Sequence, residues 1–283
     1  MNNGASESGV NVKIEGHILN EIYCHRYRGH APKYALLISH GIGGHGGIYD
    51  IFCEHMAGKG VDVWSYDAPG HGRSTSTRPR GQWTLEEWTN AGVRYAEHIA
   101  SEQKIPVFVL GSSLGGGAAY GALASSAAVL GAVFMGSVAI PGVDPSHPFA
   151  EPGIGKVIQR LGRAVRLDIA TLVNFDVDYG YSGAAEQKQL DPYNTWSYDL
   201  ASFLTIGTYV PSVPIAENRK PVLFTVGEHD PFAPPARVRE LCSKFGGPAT
   251  YRQFDGANHQ LMLFHTEEYA HFVHSWCLEQ IAD

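Results

Sequence analysis

Short, nearly continuous apolar runs recur along this chain, each closed by glycine, proline or small polar residues, and longer segments with apolar positions at helical spacing separate most of them. Runs at 34–39, 61–66, 105–110, 129–139, 221–226 and 249–254 predict buried strands. Segments at 47–60, 84–101, 114–126, 234–245 and 266–281 predict the helices that connect them. Thr84-Leu85-Glu86-Glu87 has the spacing of a capping box, which fixes the start of the helix at 84–101. Residues 10–16 and 21–28 predict an antiparallel hairpin ahead of the first of these strands. The alternation predicts an α/β chain whose sheet is mostly parallel, with crossover helices on both faces.

The alternation breaks from Pro141 to Lys220, and an insertion of that size at the edge of a sheet is expected to cover a site. The chain therefore divides into core residues 1–140, a cap over 141–220 and a second core part over 221–283. Within the cap, residues 153–175 place Val157, Leu161, Ala164 and Val165 at helical spacing, with Lys156, Arg160, Arg163 and Arg166 on the remaining surface. A basic amphipathic helix of this kind either covers a core or lies on an anionic lipid surface. Farther on the cap is rich in aromatic residues, including Phe175, Tyr179, Tyr181, Tyr193, Trp196, Tyr198, Phe203 and Tyr209. Such rings either pack the cap's own interior or wall a pocket for acyl chains. Trp196, Tyr198 and Phe203, with Gly43 upstream, are the pocket candidates.

The run 105–110 leads into Gly111-Ser112-Ser113-Leu114-Gly115-Gly116 and then into the helix at 114–126. Strand, sharp turn, helix is the context that gives a G-x-S-x-G motif chemical meaning, because the turn strains the backbone at Ser113 and exposes its hydroxyl. Two partners lie in the same kind of position. Asp230 comes after the strand at 221–226, and His259 comes after the strand at 249–254. In a mostly parallel sheet the carboxyl ends share one edge, so Ser113, Asp230 and His259 can converge as nucleophile, orienter and base. His229 is a competing base and Asp255 and Glu228 are competing orienters, but a residue adjacent to Asp230 on extended backbone points away from it. The strand at 34–39 runs into the glycine-rich His40-Gly41-Ile42-Gly43-Gly44. The expected use of that loop is an oxyanion hole, built from the Ile42 amide and from the Leu114 amide at a helix N-terminus.

At these motifs the chain resembles the α/β-hydrolase family, and within it the monoglyceride-lipase-like serine hydrolases. The resemblance rests on Ser39-His40-Gly41-Ile42-Gly43-Gly44-His45 with Tyr49, on Tyr66-Asp67-Ala68-Pro69-Gly70-His71-Gly72-Arg73-Ser74, on the Ser113 turn, and on Asp230 and His259. It implies an eight-stranded, mostly parallel sheet with an inserted cap. It also implies Ser113 as nucleophile, His259 as base, Asp230 as orienter, and Ile42 and Leu114 as oxyanion donors. The family often has histidine before the nucleophile; here Ser112 stands in that place. The implied activity is hydrolysis of carboxylic esters of small lipophilic or monoacylglycerol-like substrates through an acyl-enzyme. The same residues would serve a lactone, amide or thioester, or a fold retained only for ligand binding.

Composition agrees. With 283 residues, 44% of them hydrophobic, the chain can bury one large core. A net charge of −7 gives no attraction to nucleic acid. The polar start Met1 to Gly9 lacks the pattern of a secretion signal, and no run reaches the length of a membrane span, so a small-molecule substrate and a cytoplasmic setting are expected. Cys24, Cys53, Cys242 and Cys277 are scattered without metal spacing or a disulfide framework. Among the fourteen histidines, His40, His45 and His71 are expected near Asp67 but lack ligand spacing, so no metal and no cofactor are expected.

Overall fold

The computed structural model describes residues 13–141 and 164–282. In chain order its strands are β1 (Lys13–Leu19), β2 (Ile22–Arg28), β3 (Ala35–Ser39), β4 (Asp62–Tyr66), β5 (Val107–Ser112), β6 (Val129–Met135), β7 (Arg166–Asp168), β8 (Ser197–Asp199), β9 (Val222–Gly227) and β10 (Ala249–Phe254). All but β7 and β8 form one open eight-stranded sheet in the order β1-β2-β4-β3-β5-β6-β9-β10. Across that sheet the strands from β4 to β10 run parallel, and the β1–β2 hairpin joins β4 antiparallel. This is the expected eight-stranded, mostly parallel sheet.

The apolar runs are continuous because both faces of the parallel strands are covered. Leu37, Trp64, Val109, Phe134 and Phe224 pack on one side with Trp88, Tyr95 and Tyr120, which come from α2 (Leu85–Gln103) and α3 (Gly115–Ser125). Leu36, Ile38, Val63, Phe108 and Val133 pack on the other with Phe52 of α1 (Asp50–Gly58) and Trp276 of the C-terminal helix Thr266–Ala282. The capping box forms: the Glu87 amide donates to Thr84 Oγ1 at 3.1 Å, and the Thr84 amide donates to Glu87 Oε2 at 3.0 Å.

Several boundaries move, each for a local reason. The first strand runs to Leu19 rather than ending at residue 16, because Asn20 and Glu21 form the hairpin turn with φ of 48° and 69°. A two-residue turn of that hand usually advertises itself with glycine, and this one has none. Strand β6 ends at Met135, not 139, because Gly136 takes a φ of 54° and turns the chain.

Residues 166–168, expected within a helix over 153–175, instead pair as β7 with β8, and 169–171 form a short 3-10 turn. Arg166 explains the switch: its guanidinium reaches Asp199 Oδ1 at 2.6 Å and the Ser197 carbonyl at 2.6 Å, which ties it to β8 rather than leaving it on a solvated helix face. The remainder of that expected helix, with Val157, Leu161, Lys156, Arg160 and Arg163, lies outside the described residues. The helices Phe175–Tyr179, Ala184–Gln189 and Leu200–Thr208 come next, none of them contributing to the eight-stranded sheet.

Candidate active site

Ser113 occupies the turn between β5 and α3 with φ of 51°, a left-handed conformation that a side chain adopts at a penalty of about 1–2 kcal/mol. The turn is held on both sides. The Ser113 amide donates to the Met135 carbonyl at 2.8 Å, and the Gly116 amide donates to the Ser113 carbonyl at 3.0 Å. Gly115 is required by close approach: a Cβ there would lie 2.2 Å from the His40 carbonyl oxygen and 2.5 Å from that of Ser39. The start of α3 is thereby seated against the end of β3. Ser112, in the place where histidine is frequent, is buried and accepts a hydrogen bond from the Tyr49 hydroxyl at 3.0 Å.

Asp230 and His259 meet at the same sheet edge. His259 Nδ1 lies 2.7 Å from Asp230 Oδ2, and both residues are buried. The other carboxylate oxygen, Oδ1, accepts the amides of Phe232 at 2.9 Å and Ala233 at 2.8 Å. A carboxylate can only accept, so Nδ1 carries the proton and Nε2 is left as the basic nitrogen. Burial acts most strongly on the imidazole and lowers its pKa, but the hydrogen bond to Asp230 and the charges of Asp230 and Asp178 together outweigh it, so His259 is raised above the ordinary histidine value. His229 stands apart, with its side chain 62% exposed beside Glu228. A contributor without a sequence motif is Gly136: a Cβ there would lie 2.8 Å from the His259 ring and 2.9 Å from Asp230 Oδ2. Only a glycine after β6 lets the backbone pass the pair so closely.

The glycine loop supplies the remaining side of the site. The Gly43 amide donates to the Tyr198 hydroxyl at 2.8 Å, whereas the amides of Ile42 and Leu114 find no acceptor among the described residues. His40 shapes the loop: its Nε2 accepts the Ala68 amide at 3.0 Å, so Nδ1 carries the proton and donates to the Gly41 carbonyl at 2.8 Å. Burial keeps His40 neutral, well below the ordinary histidine pKa. His71 is likewise pushed down to about 4 by burial. Its Nδ1 faces the Pro69 carbonyl at 3.0 Å, leaving Nε2 to accept the Tyr198 hydroxyl at 3.1 Å. Tyr198→Phe strands the Gly43 amide and His71 Nε2 in the interior, and is expected to destabilise the fold by about 1–3 kcal/mol for each group left unpaired. Urea unfolding measures this; a loss below about 0.5 kcal/mol would mean the hydroxyl holds neither group.

Ser113, His259, Gly41 and Ile42 line one cavity of about 90 Å³. The segment after residue 164 contributes Val173, Asp178, Tyr179 and Lys188 to its lining, and Phe232 and Gln260 also line it. The expected pocket residues are placed elsewhere. Trp196 packs edge-on against Phe175 at 5.3 Å, Tyr198 is fully buried against Phe203 at 5.5 Å, and Phe203 also meets Trp83 at 6.0 Å. These rings pack the interior between the inserted segment and the sheet. A Cβ at Gly43, which is not itself among the lining residues, would lie 3.3 Å from the Phe175 ring and 3.5 Å from Cε of the cavity-lining Lys188.

His25, His45 and Asp67 bring three metal-capable atoms within 4.8 Å of one another. Those atoms are largely committed. Asp67 accepts the amides of Gly46 and Arg73, each at 2.7 Å, and His45 accepts the Gly47 amide at 3.1 Å through Nδ1 while its Nε2 lies 2.7 Å from Asp191 Oδ2. The cluster braces the glycine loop against the Asp67 loop.

Comparison with known proteins places this architecture. The family model described as serine aminopeptidase, S33, matches residues 30–267. The chain is 32% identical over 99 residues to a monoglyceride lipase homolog of Monkeypox virus, covering 33% of this chain and 34% of that protein. It is 34% identical over 90 residues to the human monoglyceride lipase, covering 30% of this chain and 28% of that one. The matched segment thus spans about a third or less of the curated relatives' length. Among solved structures, the monoacylglycerol lipase of Paleococcus ferrophilus superposes with a TM-score of 0.69 at 23% identity, covering 92% of this chain and 99% of that one. A soluble variant of monoglyceride lipase from Saccharomyces cerevisiae, in complex with a substrate analog, gives 0.72 at 16% identity, covering 95% and 96%. At these identities the structures share the fold.

Proposed function

This chain belongs to the serine aminopeptidase S33 family of α/β hydrolases, and from that membership we propose that it cleaves carboxylic esters of small lipophilic or monoacylglycerol-like substrates through an acyl-enzyme on Ser113. The observation that carries the reading is one cavity shared by Ser113 on its left-handed turn and by His259, whose partner is Asp230. In acylation, Ser113 Oγ attacks the ester carbonyl and its proton passes to His259 Nε2 while Asp230 holds the tautomer and offsets the imidazolium charge. The tetrahedral oxyanion is received by the amides of Ile42 and Leu114, each such donor being worth about 2.7–4 kcal/mol in comparable sites. Collapse expels the alcohol, protonated by His259. Water, deprotonated by the same nitrogen, then releases the carboxylic acid and restores the serine. These steps need no cofactor.

In this reading the segment from Pro141 to Lys220 is a cap that decides which group enters. Val173, Tyr179 and Phe232 line the cavity and are its candidate chain-length determinants. Among the described residues no helix is long and apolar enough to cross a membrane, and all four cysteines are free and buried, which fits a reducing, cytoplasmic setting. The test is labelling by a fluorophosphonate probe and then turnover of p-nitrophenyl esters of graded chain length. Labelling at Ser113 with measurable ester turnover is the expected result. A folded protein that takes no label and turns over none of the series would overturn the assignment.

A further inference from the structure

Lys188 is a buried cation of the catalytic cavity that makes no ion pair among the described residues, although the charges of Asp178 and Asp191 act on it from farther away. It lies on the helix Ala184–Gln189, is only 6% exposed, and lines the cavity that holds Ser113 and His259. Its ammonium has three donors. Two of them find neutral oxygens, Asn194 Oδ1 at 3.2 Å and the Tyr179 hydroxyl at 3.5 Å. The charge otherwise rests over the rings of Phe175 at 5.2 Å and Tyr179 at 5.8 Å. Among the described residues no carboxylate comes within ion-pair distance of it. Asp178, in the same cavity, is instead bound by the Gln260 side-chain amide at 2.9 Å, and Asp191 is bound to His45 at 2.7 Å.

A buried ammonium whose direct contacts are only neutral oxygens and rings is unfavourable, and it is retained where something else supplies an anion in contact with it. The position is informative. Lys188 Cε lies 3.5 Å from where a Gly43 Cβ would be, so the side chain lies against the same glycine loop that presents the Ile42 amide to the cavity. An anionic group beside this ammonium and an ester carbonyl at Ser113 would occupy the same small cavity, because both residues line it.

We propose that Lys188 forms an anion subsite in the catalytic cavity, and that the ester substrate carries a carboxylate a few bonds from its scissile carbonyl. This rests on the ester-hydrolase reading and narrows it to half-esters of short diacids or esters of short hydroxy acids. Burial lowers the Lys188 pKa to about 8, against the raising effect of Asp178 and Asp191, so the amine is charged at neutral pH and loses its charge just above it. The titratable and charged groups around it are Asp178 and Tyr179 from the helix Phe175–Tyr179, Asp191 with its partner His45, His40 of the glycine loop, which is kept neutral, and Tyr49 and His259 in the same cavity.

The experiment compares kcat/KM for matched esters. On the acyl side, 4-nitrophenyl hydrogen glutarate is set against 4-nitrophenyl 5-methylhexanoate, whose isopropyl end replaces the carboxylate. On the alcohol side, 2-carboxyethyl butyrate is set against 3-methylbutyl butyrate. Both members of a pair use the same Ser113 and His259, so the titration of His259 cancels in their ratio. For wild type, one pair shows an anion-to-neutral ratio about tenfold higher at pH 6.5 than at pH 9.5, falling through the Lys188 titration. The pair that shows it tells which half of the ester bears the charge. In Lys188→Met the ratio is low and flat with pH. A wild-type ratio that does not change with pH in either pair overturns the subsite, as does a Lys188→Met variant that loses both members of a pair equally. The wild-type profile decides the matter alone if the variant does not fold. Turnover of the neutral esters and labelling by the fluorophosphonate report on the ester-hydrolase reading separately, and if both fail, the subsite falls with it.

Discussion

Ser113→Ala lowers kcat on an activated ester by about 10⁴-fold or more while leaving the unfolding free energy within about 0.5 kcal/mol of wild type. The activity loss comes from removing the proposed nucleophilic oxygen. Stability is spared because alanine keeps the Cβ and the backbone bonds that hold the turn, from the Ser113 amide to Met135 and from the Gly116 amide to the Ser113 carbonyl. The residual left-handed penalty at φ of 51° gives a second, opposite-signed control. Ser113→Gly, equally inactive, should be more stable than Ser113→Ala by about 1 kcal/mol, because glycine adopts that conformation without strain. Steady-state turnover and urea unfolding on the same preparations check both. A near wild-type rate in the alanine variant would move the nucleophile elsewhere, and an alanine variant several kcal/mol less stable would mean the hydroxyl was structural.

Much of this arrangement was legible in the sequence, for a physical reason. Strands buried on both faces read as continuous apolar runs, and the residues just past each run lie at one edge, so Ser113, Asp230 and His259 could be brought together without knowing a single contact. Features set by tertiary packing did not show. Gly136 carries no motif, and its role exists only because β6 ends beside the His259–Asp230 pair. Trp196, Tyr198 and Phe203 read as pocket walls because aromatic composition is the same for a pocket and for a small interior, and only packing separates them. Lys188 belongs to no motif and drew no expectation from the sequence. Its burial depends on where the short helix Ala184–Gln189 settles over the glycine loop, which no local spacing encodes.

Asp230→Asn is expected to lower kcat by about 10⁴-fold with little change in fold, and the reason lies in which oxygen does what. Oδ1 of Asp230 already accepts the Phe232 and Ala233 amides, so the one carbonyl oxygen of an asparagine stays with them and its NH₂ group turns toward His259. Nδ1 must then accept rather than donate, the imidazole proton moves to Nε2, and the nitrogen proposed to take the Ser113 proton no longer can. The pH profile adds a second reading. In wild type the base works when deprotonated, and Asp230 and Asp178 raise His259 above the ordinary value, so kcat/KM should rise with pH through a midpoint above about 6.5. Without the Asp230 charge, burial acts with less opposition and the midpoint of the residual activity shifts down. The same pair is a pH-dependent stabiliser. Its contribution is complete below the unfolded histidine pKa of about 6.5 and is lost as pH rises through the raised folded value, so the stability gap between wild type and Asp230→Asn should narrow from pH 6 to pH 8. A variant whose rate fell only a few-fold, with its pH midpoint unmoved, would mean that Asp230 neither fixes the tautomer nor bears the imidazolium charge, and that Asp178, also in the cavity, orients the base instead.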